Sequence, residues 1–211
     1  MSETKYLINS IKKDYKNKRY YTIFLDNGET FQVSNETLLK YDIKEKCEIT
    51  NDIIKKAIDF DEQLVIKNKI IVLLSYRMRS KYELNKYFLS KGFNNENILL
   101  VIKELETRKY LSDLKFAKMY CKHLIKEKMM GEYLVSNKLL NHQIPKSLSE
   151  PILSELYNTY TPQFLINKIL EKKKYTISHS KEKKIQIINY LKRRGFSWDD
   201  IISSLSDNAL N

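Results

Sequence analysis

Two stretches of this sequence read almost alike a hundred residues apart: "LNKYFLSKGF" at Leu84–Phe93 and "IINYLKRRGF" at Ile187–Phe196. Each places apolar residues at helical spacing and ends on Gly-Phe. Setting Gly92-Phe93 over Gln143-Ile144 and then over Gly195-Phe196 gives offsets of 51 and 52 residues. In that frame Leu84, Val135 and Ile187 share a column, as do Phe88, Leu139 and Leu191, and Ile102, Leu153 and Leu205. Leu105 matches Leu156, while Asn208 breaks the last column and Ser149 breaks that of Ile98 and Ile201. A fixed period that preserves apolar columns means a repeated structural unit, because a single short helix pair cannot bury its own hydrophobic stripe.

Each unit reads as three helices. Leading helices are expected near Glu62, Leu114 and Gln163, and the second helix of each unit closes at the Gly-Phe position. Ser80 and Glu83 have capping-box spacing, Asn94 or Asn95 precedes the next helix, and Ser112 or Asp113 precedes "LKFAKMY". Thr161-Pro162 is an N-cap followed by a proline pre-set for the first helical position. Ser180 and Ser197 open the last two helices. Gly92 suits the left-handed residue that ends a helix, and the Phe beyond it folds back as a core residue, as do Ile144 and Phe196. Only four glycines and three prolines occur, too few for a fold built on tight βα loops.

The first fifty residues differ. "RYYTIFLDNGETFQVS" alternates like a half-buried strand and turns at Asp26-Asn27-Gly28, a pattern that predicts a type I′ hairpin. With "YLINSIKKDY" as a third strand, a small β-meander runs to about Val33, before a short helix at "NETLLKYDI". The expected fold is therefore mainly α: three tandem three-helix repeats in an elongated curved array behind a small N-terminal β-meander. The boundaries are 1–50 for the β-rich extension, and 51–110, 111–160 and 161–211 for the repeats.

Charge bounds the partner. Of 211 residues, 38 are Lys or Arg against 26 acids, a net +12 that favours an anionic partner. A proteome that decorates every surface with lysine would give the same excess. Ten basic residues lie between Gln163 and Phe196, among them Lys168, Lys172, Lys173, Lys192, Arg193 and Arg194, against only Glu171 and Glu182. A looser cluster holds Arg77, Arg79, Lys81, Lys86 and Lys91. Both are candidate contacts to DNA or to an acidic protein face, with a solvated lysine face as the alternative.

No catalytic constellation competes. His123, His142 and His179 have no acid or nucleophile at motif spacing, and Cys121-x-His123 offers two metal ligands where three or four are needed. Asp61-Glu62 and Asp199-Asp200 read as helix starts, where acids favour the positive end. No GxxxxGK[ST] or GxGxxG occurs, so no ATP hydrolysis and no cofactor are expected. Cys47 and Cys121 read as reduced thiols, and "MSETKYLINSIKKDYK" lacks the apolar core of a signal peptide. The longest apolar run is too short to span a bilayer, so a cytoplasmic monomer without membrane contact is expected. Base-specific reading of DNA is disfavoured, and Tyr175 and Trp198 are the two aromatics outside obvious packing, Trp198 being expected to pack the last helix bundle.

Glu83, Leu84, Phe88, Lys91, Gly92 and Phe93, followed by Tyr110, Leu111, Asp113, Phe116 and Ala117, resemble the signature of the RecX family, bacterial regulators of the RecA recombinase. "YLKRRGFSWDDI" is similar to the family's closing motif, and the β extension resembles that of Gram-positive members. Lys109, Ser112 and Gln143 depart from the pattern, with doubt falling on local turn shape, while Asp113 can still cap its helix. The resemblance implies a non-enzymatic modulator that binds the groove of the RecA filament on single-stranded DNA. Such a protein suppresses ATP hydrolysis, strand exchange and co-protease activity. The alternative is a general DNA-binding protein that grips the phosphate backbone without RecA, with weak direct DNA binding common to both.

Overall fold

A computed structural model of the protein describes residues 4–15, 17–175 and 180–207; Asn208 and His179 lie outside them. The protein is mainly helical, with a small antiparallel sheet at its N-terminus. The chain divides into two compact units, Met1–Met78 with Leu84–Tyr110, and Arg79–Glu83 with Leu111–Asn211.

In the first unit β1 (Lys5–Lys13), β2 (Tyr20–Leu25), β3 (Thr30–Ser34) and β4 (Glu48–Thr50) form a sheet in the order β3-β2-β1-β4. The meander is as the alternation predicts; β4 is a fourth strand, only three residues long and without an alternating pattern of its own. It pairs Tyr6 with Ile49. Ile8, Ile23, Leu25, Phe31, Val33, Ile43 and Ile49 form the core of this sheet. The β2–β3 turn is not type I′, because only Gly28 takes a positive φ (84°). Leu25 N–H donates to Glu29 O at 3.0 Å, and Asn27 Oδ1 accepts from Glu29 N at 3.0 Å. A longer loop closed by one left-handed glycine results.

Helix α1 (Asn35–Lys40) starts at Ser34 and is followed by α2 (Asn51–Tyr76), one unbroken helix of 26 residues. No helix therefore begins at Glu62, and Asp61-Glu62 do not serve a helix start of their own. They serve other elements. Asp61, 6% exposed, accepts from Ser34 N and Thr37 Oγ1, both at 2.7 Å, and so holds the β3–α1 corner. Glu62 accepts from Asn94 N (3.3 Å) and Asn97 Nδ2 (2.6 Å) at the start of α4 (Asn95–Thr107). Burial of Ile66 and Ile70 on α2 with Ile98, Val101, Ile102 and Leu105 on α4 fills the helical part of this unit. The latter half of α3 (Lys81–Leu89) adds Leu84 and Phe88.

The second unit contains α5 (Asp113–Lys122) with a π-helical turn at His123–Glu127, α6 (Glu132–Asn141), α7 (Lys146–Thr159), α8 (Pro162–Lys172), α9 (Lys181–Arg193) and α10 (Trp198–Asp207). The caps expected at Asn94, Ser112, Thr161 and Ser197 each accept a backbone N–H of their own helix. Asp113 does not. Its carboxylate accepts from Lys81 N at 2.9 Å, while Ser80 Oγ accepts from Glu83 N at 3.1 Å, so two side chains share the first turn of α3.

The apolar columns lie in the interior, except that Leu156, the match of buried Leu105, is half-buried. Leu84, Val135 and Ile187, Phe88, Leu139 and Leu191, and Ile102, Leu153 and Leu205 are all buried. Ser149 breaks its column chemically but not spatially: it is 3% exposed and donates to Lys146 O. Of the residues expected to fold back, Ile144 and Phe196 are buried and Phe93 half-buried, its ring 5.5 Å from that of Phe88.

One helix ending recurs. After α3 the chain sends Phe93 N–H to Phe88 O and Gly92 N–H to Leu89 O, with Gly92 at φ 82°. The same pair of bonds follows α1, α4, α6, α8 and α9, through Asp42, Lys109, Gln143, Lys174 and Gly195. This is the six-to-one, five-to-two closure of a helix by a left-handed residue. Lys109 (φ 63°) and Gln143 (φ 53°) keep the turn that glycine would make, so those departures leave its shape unchanged.

The second unit also repeats a joint. Ser80 Oγ, at the start of α3, lies 3.3 Å from His142 Nδ1 at the end of α6. Correspondingly Gly131, at the start of α6, donates its N–H to Arg194 O (2.8 Å) at the end of α9. A Cβ on Gly131 would come within 2.3 Å of Gly195 O, and one on Gly195 within 2.5 Å of Leu134 N. Backbone there lies against backbone.

Candidate anion-binding surface

The expected basic residues do not behave alike. Arg79 pairs with Glu83 at 2.5 Å with its side chain 18% exposed, and Lys81 faces Asp113 at 3.7 Å. Both have an acidic partner within the start of the second unit. Arg77, at the end of α2, donates to Met78 O. Lys86 and Lys91 are exposed on and just beyond α3, with Lys91 5.8 Å from the Tyr87 ring. The looser cluster is thus divided between internal ion pairs and solvent.

The C-terminal cluster is different because two helix ends bring it together. Helix α8 finishes at Lys172 and its closing turn carries Lys173, Lys174 and Tyr175; α9 runs alongside with Lys183, Gln186, Ile187, Tyr190 and Arg193 at spacings of three and four. Among the described residues these eight side chains line one open groove, four of them cationic and none acidic. Lys173 Nζ stands 4.0 Å from the centre of the Tyr190 ring, and the Arg194 guanidinium 5.1 Å from the same centre. The tyrosine face is a plane of partial negative charge, which lets two cations sit close without an acid between them. Lys168 lies over Phe164 at 4.9 Å, one turn back along α8.

Two expected contacts point elsewhere. Arg194 donates through Nη1 to Lys128 O and belongs to the joint with Gly131. Lys192 lies 4.4 Å over the ring of Trp198, which is 51% exposed and does not pack the last bundle as its position suggested. Lys172, Lys192 and Arg193 stand in the last turns of their helices, where they also offset the negative helix end. Glu182, one of the two acids in the segment, is engaged by the Ser180 side chain, which holds its carboxyl below the usual range. Tyr190 was not singled out by composition. Its signal was the i, i+3, i+7, i+10 set of Lys183, Gln186, Tyr190 and Arg193 on one helical face.

No other chemistry is assembled. Cys121 is buried and its thiol is pushed up to about 12 by burial, whereas His123 is exposed, so the pair does not form a site. Among the described residues no group of three His, Cys, Asp or Glu side chains could hold a metal ion. Among the described residues no helix is long and apolar enough to cross a membrane. His142 packs 5.0 Å from the Phe116 ring and 5.1 Å from that of Tyr120.

No family model matches the chain. A regulatory protein RecX of Listeria monocytogenes is 30% identical over 156 residues, 74% of this chain; the match spans 56% of that relative's length. A regulatory protein RecX of Caldanaerobacter subterraneus is 29% identical over 203 residues, 95% of this chain and 98% of the relative. Among solved structures, one of regulatory protein RecX has a TM-score of 0.67 at 21% identity, covering 92% of this chain and 96% of the other. RecX from Lactobacillus salivarius has a TM-score of 0.62 at 22% identity, covering 72% and 99%.

Proposed function

The chain belongs to the RecX family of regulatory proteins, and on that premise we propose that it is a non-enzymatic regulator of the RecA recombinase. It binds the groove of the RecA filament on single-stranded DNA and biases the filament against its active arrangement. ATP hydrolysis, strand exchange and co-protease activity fall as a result. A regulator of this kind needs differential affinity for one filament state, and no covalent chemistry. Residues 51–110, 111–160 and 161–211 act as three like modules laid along the filament. The shared buried columns and the repeated helix ending support the modular reading.

The observation that carries the proposal is the groove between α8 and α9, where Lys173, Lys174, Lys183 and Arg193 stand around Tyr190 and, among the described residues, no acid lines the walls. It fits a phosphodiester backbone or an acidic filament face, and its contribution should decline steeply with salt.

The test is titration of the protein into RecA ATPase assays on single-stranded DNA, beside its own DNA affinity measured without RecA. Inhibition is expected well below the protein's own DNA dissociation constant. Inhibition appearing only where the protein coats the DNA would instead establish simple competition for the strand. Lys173→Glu with Arg193→Glu should raise the inhibitory concentration by up to about thirtyfold, since each lost or reversed surface contact is worth up to ~1 kcal/mol. Arg194 and Lys192 are poorer probes because each has an internal partner.

A further inference from the structure

The N-terminal sheet carries a second basic feature, remote in sequence from the α8–α9 groove. Residues 12–19 read "KKDYKNKR"; of the described ones, Lys12 and Lys13 end β1, and Asn17, Lys18 and Arg19 lead into β2. The turn is firmly built. Asp14 N–H donates to Tyr20 O at 2.9 Å, Tyr20 N–H to Asn17 O at 2.9 Å, and Asp14 Oδ1 accepts from Asn17 N at 2.8 Å. The single acid of the segment is engaged by that backbone N–H, and its other oxygen accepts from Gln32 Nε2.

The basic side chains are not used in this way. Lys13, Lys18 and Arg19 form no ion pair among the described residues, and Lys12 Nζ lies 5.3 Å over the Phe24 ring. At the tip stands Tyr15, 99% exposed. Lys12, Lys13 and Lys18, with Asp14, line the hollow beside that ring, and Lys13 and Lys18 also line a second one that reaches Arg19, Lys69 and the acids Glu36 and Asp61, the latter held by Ser34 and Thr37.

A fully solvated aromatic ring is an unfavourable thing to present to water, and a hairpin tip needs no aromatic to turn. Cations alone would suit any anion. Cations around an accessible ring suit a polymer that alternates a negative charge with a flat π-face. Single-stranded nucleic acid is that polymer, since every base can stack and every linkage carries a phosphate. Duplex DNA hides its base faces, and an acidic peptide has none.

We propose that the β1–β2 hairpin tip is a single-stranded nucleic-acid contact, in which one base stacks on Tyr15 while neighbouring phosphates pair with Lys12, Lys13, Lys18 and Arg19. This contact is independent of the RecA reading and of the α8–α9 groove.

The test uses the full-length protein, a labelled oligothymidylate and no RecA, so failure of the RecA proposal leaves the result readable. Tyr15→Ala should raise the dissociation constant roughly five- to a hundredfold, the range expected for one lost stack. Tyr15→Phe keeps the ring and should remain within about twofold of wild type. Lys13→Glu with Lys18→Glu should lower the slope of log K against log salt by about 1.4, which is two phosphate contacts on a single strand. The same variants in a background carrying Lys173→Glu and Arg193→Glu should show the same ratios. Unchanged binding by Tyr15→Ala overturns the proposal. So does equal loss from Tyr15→Ala and Tyr15→Phe, which would assign the effect to the hydroxyl. Competition by polyglutamate as strong as by unlabelled oligothymidylate would make the tip a general anion contact and overturn it as well.

Discussion

Replacement of Gly131 by alanine separates two reasons for which a chain keeps a glycine. Gly131 has φ −77°, a conformation open to any residue, so alanine there costs nothing in dihedral strain and would ordinarily stabilise by about 0.4–1 kcal/mol through the unfolded state. The obstacle is spatial. The new Cβ meets Gly195 O at 2.3 Å, Gly195 C at 2.4 Å and Phe196 N at 2.5 Å, all of them backbone. Restoring ordinary 3.4 Å contact requires roughly 1 Å of separation between α6 and the end of α9. That movement also stretches the Gly131–Arg194 hydrogen bond. Overpacking of this kind costs about 1–3 kcal/mol and the bond about 1 more, so the net expectation is destabilisation by about 2 kcal/mol. Gly92 is the control: its φ is 82° and no atom lies within 4 Å of its missing Cβ. Gly92→Ala should cost about 1 kcal/mol, from backbone strain alone. The assay is urea-induced loss of far-ultraviolet ellipticity, with slopes compared to detect loss of two-state behaviour. A Gly131→Ala protein as stable as wild type, or one less affected than Gly92→Ala, would refute the close-packed joint.

Gln143→Gly should stabilise the protein by about 0.5–1 kcal/mol in the same assay, because Gln143 occupies φ 53° at a helix end where glycine is unstrained. An alkylating reagent at mildly alkaline pH should modify exposed Cys47 in the native protein and reach Cys121 only on unfolding, counted by mass spectrometry. Burial raises the Cys121 thiol from 9.0 to about 12, so the folded state keeps its proton after the unfolded state has lost it. The contribution of that thiol to stability is therefore complete below pH 9 and is lost as pH rises from there toward 12; Cys121→Ser should flatten this part of the stability profile.

Core positions were legible because apolar residues at helical spacing go inside: Leu84, Val135 and Ile187 are all buried. The helix endings were legible at Gly92 and Gly195, where the residue type itself signals a positive φ, and hidden at Lys109 and Lys174, where the same closing hydrogen bonds form around a residue type that gives no such signal. Asp61, Glu62 and Asp113 were read as acids serving their own helices, since a cap is a local pattern in sequence. They bind the starts of other elements instead, a choice that only tertiary placement decides. β4 escaped notice because three residues cannot display alternation. In the basic surface the excess charge was visible as a count, but its division was not. Arg79, Lys81 and Arg194 are drawn into internal contacts, while Tyr190, an uncharged residue, organises the groove.

The two joints at the ends of α6 and α9 impose unequal restraint on sequence drift. Where Ser80 meets His142 the contact is carried by side chains, so a hydroxyl and an imidazole can be exchanged for another matched pair and the spacing retuned in small steps. Between Gly131 and Gly195 there is no such intermediary, and a single added methyl group on either side has nowhere to go. Variation among descendants of this chain should therefore accumulate at the serine–histidine contact and be purged at the glycine pair.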